Sequence, residues 1–417
     1  VNRAYWQPWS LRELVDALAA GTTTPAEALR RSRGRIAETD AELRAWVELA
    51  PGTDPTSDGP LGGVPLAVKD IIDVAGLPTR CGSQLRADAV AAEADAAIVT
   101  AWRRAGAVPV GKAVTTEFAY FAPGPTRNPA APDHTPGGSS SGSAAAVAAG
   151  QVPLALGSQT AGSVTRPAAF CGVASLVLGH GRFPVDGVTG LSPSLDSHGV
   201  LAAGVSDLAL AWSALAGDPD PGLEAGRPPR LLLWTARQLG VEPRMTTALT
   251  SACSRLRAAG AVIDEFPEEQ LAAQVTAAHP VIMAYEAARE RAAELAVAPQ
   301  LSPQLATLLK TGAASSQHDY EAALRTAAEA GTRLAELLAD YDAVLGPAAL
   351  GPAPAGLAAT GDPVLSRAWQ ALGLPAVCVP GMRTDAGLPL GLQLVGARRR
   401  EAELLAVGCW VEAALLG

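Results

Sequence analysis

Aromatic residues are scarce in this chain of 417 residues, at 4%. So few rings leave no basis for expecting an aromatic cage around a ligand. Cysteine is also sparse. Cys81, Cys171, Cys253, Cys378 and Cys409 lie far apart, with no CxxC pair. That spacing argues against structural zinc and against a disulfide framework. Reduced, mostly buried thiols fit a cytoplasmic protein. No run of about 18 uncharged apolar residues occurs, so no membrane-spanning helix is expected. Positive charge is in deficit, with 32 Lys and Arg against 41 Asp and Glu. A nucleic-acid binder usually shows a basic face, and the one dense basic run, Arg398–Arg400, reads as a solvated helix start. No cluster of metal-ligating residues stands out, so neither metal nor cofactor is expected. The first ten residues, VNRAYWQPWS, lack the apolar core of a signal peptide. The sequence does not begin with Met, which leaves a preceding segment open.

What is abundant is apolar matter, 48% of the chain, enough for a sizeable core. Ser10-Leu11-Arg12-Glu13 is a capping box, followed by Leu14 and Leu18 at helical spacing and by Gly21 as a stop. Thr24-Pro25-Ala26-Glu27 opens a second helix. Residues 51–60 read as a loop. Short apolar runs at 64–68, 108–110, 154–157, 343–345, 376–379 and 392–395 read as strands, and 94–105 and 144–149 as helices. Such alternation predicts an α/β sheet with helices on both faces. Composition shifts near 218–228, where GDPDPGLEAGRPP reads as a surface connector. The stretch from about 229 to 340 is biased to Ala, Leu, Glu and Arg. We therefore expect a single domain over 1–417 with a helical, cap-like insertion at about 229–340. No internal repeat is present.

Two Gly/Ser stretches carry the chemistry: GGSSSGS at 137–143 and GSQTAGSVTRP at 157–167. A Gly/Ser run is ordinarily a flexible linker. These two instead adjoin apolar strands and a small-residue helix, as turns do where the backbone must approach something closely. Gly138-Ser139-Ser140-Ser141-Gly142 also satisfies GxSxG, which would make Ser140 the nucleophile of an α/β-hydrolase elbow. That elbow needs a strand directly before it, and NPAAPDHTP at 128–136 cannot be a central strand. A third element is Lys69, at the end of the apolar run in GGVPLAVKDIIDVAGLPT. A serine hydroxyl needs a base to become a nucleophile. A lysine serves if burial lowers its pKa enough to make it neutral. The plain alternative is a Lys69–Asp70 ion pair at a strand end.

These stretches, with ADAAIV, AGAVPVGKAVTTEFAY, PSLDSHGVLA, GDPVLSRAWQALGLPAVCVP and GLPLGLQLVG, resemble the amidase signature family. The likeness is strong over about 60–205 and weaker over 340–410. It implies the amidase signature fold, with a central mixed twisted sheet, and hydrolysis of non-peptide C–N bonds by a Ser–cis-Ser–Lys triad. Carried over, Ser163 is the nucleophile and Ser139 the bridging serine on a cis peptide. Lys69 is the base. Ser139 and Ser163 stand 24 positions apart, as in the family's paired motifs. Backbone N–H groups of Thr160, Ala161, Gly162 and Ser163 would form the oxyanion hole, with Gly162 letting the backbone crowd the reacting carbonyl. Substrate contacts are expected from Tyr120, Phe121, Ser140 and Trp369. Specificity is expected mainly in the 229–340 insertion and the loops around Tyr120 and Trp369. The chain departs from the family where Gln159 replaces a common aspartate, Thr165 an arginine and Ser141 a glycine; Arg166 is available for another contact.

Three function classes follow from the resemblance. The leading one is a cytoplasmic hydrolase of small-molecule amides or carbamates (urethanes), monomeric or homodimeric. The second is the glutaminase subunit of a tRNA-dependent amidotransferase, which needs partner subunits. The third is a non-catalytic interaction protein on the same fold.

Overall fold

The computed structural model describes residues 4–52, 58–222 and 226–416. Residues 53–57 of the expected 51–60 loop and 223–225 of the expected connector lie outside the described residues. Eleven strands form one sheet: β1 Trp46–Leu49, β2 Pro65–Lys69, β3 Val108–Ala113, β4 Leu154–Gln159, β5 Ala174–Val177, β6 Ser197–Ala202, β7 Arg230–Leu233, β8 Val262–Glu265, β9 Ala343–Pro347, β10 Ala376–Arg383 and β11 Pro389–Val395. Their order is β1-β3-β2-β4-β6-β5-β10-β11-β9-β7-β8. The sheet is mixed: β2 runs parallel to β3 and β4, whereas β4–β6, β6–β5, β5–β10 and β10–β11 are antiparallel.

Both faces are covered. Along β2 and β4, Leu66, Val68, Leu154 and Leu156 enter one core, while Ala67 and Ala155 enter another. This is the period-two alternation of a strand buried on both sides. The alanine face receives the helix Ser141–Ala148, SGSAAAVA, buried along its whole length. Small residues on both surfaces let this helix lie close to β2, β3 and β4. That places its N-terminal turn, with Ser139 and Ser140, over the sheet.

The N-terminal helices form where the caps predict. Ser10 accepts from the Glu13 N–H ahead of Leu11–Ala19, and Thr24 with Glu27 completes a capping box for Pro25–Leu43. The 229–340 stretch differs from a purely helical insertion. It supplies β7 and β8, which extend the sheet through β9. Its other parts are largely helical and include Pro243–Ala258, Glu269–Glu290, Pro303–Ala314 and Gln317–Leu337. Glu269–Glu290 packs against the last two and against Val364–Ala371, and it reaches the site described next.

Candidate active site

Strand register brings the first two groups together. β2 and β4 run parallel with Val68 opposite Leu156, so Lys69 leaves the sheet beside Gly157 and Ser158. The Lys69 side chain is fully buried. Its Nζ lies 2.6 Å from Ser139 Oγ, 2.8 Å from Ser158 Oγ and 3.2 Å from the Ser158 carbonyl. Asp70 does not pair with it. Asp70 bonds instead to the equally buried Lys112 at 3.0 Å, so the strand-end ion pair goes to a different lysine. Burial lowers the Lys69 pKa from 10.5 to about 7, against the opposing pull of Asp196 and then Cys81.

The two Gly/Ser turns are laid over one another. Gly157 in β4 faces Gly199 in β6. A Cβ on Gly157 would meet Ser140 Oγ at 2.8 Å, and one on Gly199 would meet Val164 Cγ2 at 2.5 Å. The glycine pair therefore makes the floor on which both turns sit. The Ser140 N–H donates to the Ser163 carbonyl at 3.1 Å. The Ser140 hydroxyl lies 3.3 Å from the Ser158 carbonyl and 3.4 Å from the Ser158 N–H. Ser140 is fully buried; it ties the turns together and does not line the cleft, contrary to its expected substrate contact. The Gly138–Ser139 peptide is cis.

Gln159 supports the second turn without charge. Its Oε1 accepts the N–H groups of Val164 and Thr165 at 2.9 and 3.1 Å, and its Nε2 donates to Gln370 Oε1 at 3.0 Å. Gln370 Nε2 in turn donates to the Gln159 carbonyl at 3.1 Å. A neutral amide pair thus holds the turn.

Ser139, Thr160, Ala161 and Ser163 line one narrow cleft, with Tyr120, Phe121, Arg166, Leu191, Met283 and Thr360. Its free volume of about 20 Å³ is room for little more than one water molecule, far below the usual small-molecule site. Tyr120 and Phe121 meet edge to face, with centroids 4.8 Å apart. Phe118, Ala119 and Phe121 all have positive φ (45°, 62° and 33°), a strained conformation for residues other than glycine and one concentrated at functional sites. Two expectations need correction. A Cβ on Gly162 would meet Pro363 Cβ at 2.9 Å, so what crowds this glycine is the start of the Val364–Ala371 helix. Trp369 is 2% exposed and packs edge-on against Trp234 and Phe266 at 4.9 and 6.0 Å. It is core, away from the cleft.

Four residues escaped sequence reasoning. Ser158 is the second hydroxyl on Lys69. Asp196 Oδ1 accepts the Thr160 hydroxyl, and Asp196 Oδ2 accepts the N–H groups of Leu191 and Ser192 at 2.7 and 3.0 Å. Gln370 completes the amide pair. His279, fully buried on Glu269–Glu290, reaches the Thr160 carbonyl at 2.8 Å through Nε2. A carbonyl only accepts, so Nε2 carries the proton. Burial pulls the His279 pKa down to about 4, which keeps the ring neutral. Ser158, Asp196 and Gln370 stand inside stretches that carry the resemblance; His279 has no motif around it. Among the described residues, no group of three His, Cys, Asp or Glu is placed to hold a metal, and no helix is long and apolar enough to cross a membrane.

Comparison with known proteins points to one family. The Amidase family model matches residues 36–405. One component of the glutamyl-tRNA(Gln) amidotransferase of Lachnospira eligens is 31% identical, over 95% of this chain and 96% of its own. A crystal structure of an amidase superposes with TM-score 0.87 at 30% identity, covering 97% of this chain and 99% of that one. A chain from a vestigial protein complex bearing on the origins of an s-triazine catabolic enzyme gives TM-score 0.87 at 27% identity, covering 97% and 98%. With a family model spanning most of its length and a relative of this identity along nearly all of it, the chain belongs to the amidase family, hydrolases of non-peptide C–N bonds.

Proposed function

We propose that this chain hydrolyses small amides through an acyl-enzyme on Ser163, with Ser139 passing protons to Lys69. The observation that carries the reading is the buried Lys69 Nζ, 2.6 Å from Ser139 Oγ with a pKa of about 7. A neutral amine has two N–H donors and one lone pair. Ser158 offers its carbonyl and hydroxyl oxygens to the two donors, which leaves the lone pair for the Ser139 proton. Ser139 Oγ then takes the proton of Ser163 as Ser163 Oγ bonds to the substrate carbonyl carbon. The carbonyl oxygen becomes an oxyanion beside the N–H groups of the 160–163 turn. Preorganised donors of this kind contribute roughly 3–4 kcal/mol each to such a step. When the C–N bond breaks, the proton returns through Ser139 to the departing nitrogen. Water then gives its proton to the relay and its oxygen to the acyl carbon, which frees Ser163. A carbamate presents the same carbonyl to the same groups, so carbamates belong among the candidate substrates.

The test is Ser163→Ala with purified protein, together with labelling by a serine-reactive fluorophosphonate. Loss of turnover, and loss of label at residue 163, are expected with the fold intact. Hydrolysis within tenfold of the parent would sink the assignment. The likeness, along the whole chain, to a component of an amidotransferase supports a second reading, a glutaminase dependent on partner subunits. A chain that hydrolyses simple amides on its own but leaves glutamine untouched counts against it.

A further inference from the structure

The helix Glu269–Glu290 turns three residues toward the site, His279, Met283 and Glu286, at the spacing of one helical face. His279 reaches the Thr160 carbonyl and Met283 lines the cleft. Glu286, one turn further on, is buried. Its carboxylate accepts four hydrogen bonds. Oε2 takes the Ser192 hydroxyl at 2.7 Å and the Ser194 N–H at 3.0 Å. Oε1 takes the Ser194 hydroxyl at 2.6 Å and the Tyr320 hydroxyl at 2.7 Å. Tyr320 comes from the helix Gln317–Leu337, and its ring stacks on Tyr285 with centroids 4.2 Å apart. Burial, and then the bond to Glu286, push the Tyr320 hydroxyl up to about 12, so it keeps its proton and donates.

The two serines belong to the loop that runs from the cleft wall to Asp196. Ser192 is held at both ends, its N–H by Asp196 Oδ2 at 3.0 Å and its hydroxyl by Glu286. Leu191, whose N–H also goes to Asp196 Oδ2, lines the cleft. Asp196 Oδ1 in turn accepts the Thr160 hydroxyl. The N–H groups of Leu191, Ser192 and Ser194 and both serine hydroxyls thus converge on two carboxylates, one from the loop and one from the helix. A buried polar group of this kind is satisfied only while its partners stay in place, so the loop is tied to Glu269–Glu290. Charge is not what Glu286 adds. Burial raises the Asp196 pKa, and the negative charge of Glu286 raises it further; the two carboxylates repel. What Glu286 adds is its pattern of acceptors.

We infer that Glu286 is a positioning residue for the hydrolytic reaction. It fixes the loop that carries Leu191 and Asp196, and through Asp196 it holds Thr160 and the turn of Ser163. Glu286 itself does not line the cleft. A misplacement of about 1 Å caused by a residue remote from the chemistry can cost about a hundredfold in rate. This rests on the amidase reading above and adds to it a residue outside the triad and the glycine turns.

The experiment compares purified full-chain Glu286→Ala and Glu286→Gln with the parent, using p-nitroacetanilide as substrate and a fluorophosphonate as label. Glutamine can replace all four bonds. Its carbonyl oxygen accepts where Oε2 does, and its amide donates to the Ser194 and Tyr320 hydroxyl oxygens that meet Oε1. Alanine replaces none. Rates are counted per labelled site, so loss of folded protein does not enter. Glu286→Ala should lower kcat, and the limiting rate of labelling at Ser163, about tenfold or more. KM and the half-saturating label concentration should move less than about threefold, and Glu286→Gln should stay within about threefold of the parent throughout. Thr160→Val, which removes the hydroxyl on Asp196, should also lose rate. Adding Glu286→Ala to it should cost little more, because both act through Asp196. A residue that only supported the fold would lower the yield of labelled protein and leave the rate per site alone. If Glu286→Ala fails to fold, Ser194→Ala takes its place, with a loss of about threefold that vanishes in the Thr160→Val background. If the anilide is not turned over, the labelling rates decide. An unchanged rate per site in the alanine variant, a loss confined to KM, a glutamine variant as slow as the alanine one, or additive losses with Thr160→Val overturns the role of Glu286 and leaves the triad standing. A protein that neither labels nor hydrolyses any amide refutes the amidase reading, and this inference with it.

Discussion

Replacing Lys69 by methionine should do more than stop turnover; it should change how stability depends on pH. The folded-state pKa of Lys69 is lowered from 10.5 to about 7 by burial. Between these values the unfolded chain binds a proton that the folded chain does not. Folding at pH 7 therefore works against about 4 kcal/mol that the methionine variant avoids, at about 1.4 kcal/mol for each pKa unit. Methionine in turn forfeits the contacts of Nζ with Ser139 and Ser158, worth about 1 kcal/mol each. The net difference at one pH is thus small, and the informative quantity is its slope. As pH rises from 7 to 9, the parent should gain about 2 kcal/mol on Lys69→Met, because the unfolded chain progressively loses its competing proton. Below pH 7 the lysine is protonated in both states, and the gap should level off. Urea unfolding followed by the fluorescence of the eight tryptophans, run on both proteins at pH 6, 7 and 9, measures this. Other titrating groups are shared and cancel. A gap that stays constant between pH 7 and 9 would mean that Lys69 folds with its proton on, and the proton relay would lose its base.

Further outcomes follow from the same geometry. For a substrate whose chemistry limits the rate, kcat/KM should climb as pH rises through about 7 and then level, since a protonated Lys69 cannot accept; a flat profile from pH 5 to 9 contradicts this. His279→Leu strands the buried Thr160 carbonyl, costing about 1–3 kcal/mol, and should lower kcat at least tenfold with KM little changed. An unaltered kcat would show that the 160–163 turn holds its shape without the ring. Trp369→Ala should cost about 3–5 kcal/mol of stability as a core deletion and leave the ranking of substrates as it was; a reordered ranking would return Trp369 to the pocket wall.

How much was legible in the sequence depended on whether a residue's neighbours carried a local signal. Caps such as Thr24–Glu27 and short apolar runs such as 65–69 specify their own structure, so helices and central strands fell close to where they were read. Ser139 and Ser163 stood out because they sit in turns of unusual composition, and Lys69 because it ends a buried apolar strand. Trp369 misled because an aromatic in a helix reads alike whether it faces a pocket or a core; Trp234 and Phe266, which decide the matter, arrive from distant segments. Ser140 misled for a related reason: the next turn covers it, and that turn is known only once β4 is registered against β2 and β6. β7 and β8 were hidden because each is only four residues long, too short to show a period, and β8 is a largely exposed edge strand.

The expected division of labour, with chemistry in the glycine turns and substrate choice in the 229–340 stretch, is crossed in both directions. The turn that holds Ser163 also begins the helix that places Arg166, with two idle donors, in the same cleft. The 229–340 stretch, the least family-like part, sends His279 to the carbonyl of Thr160 and Met283 to the cleft wall. His279 neither opens toward solvent nor touches the relay, yet it fixes the peptide whose N–H belongs to Ala161, next to where charge must develop. A group that is fully buried, neutral and bonded to a backbone oxygen acts by holding a dipole still, and electrostatic stabilisation is greatest where the dipoles need not reorganise. The stretch read as a specificity cap therefore also helps to hold the 160–163 turn in shape.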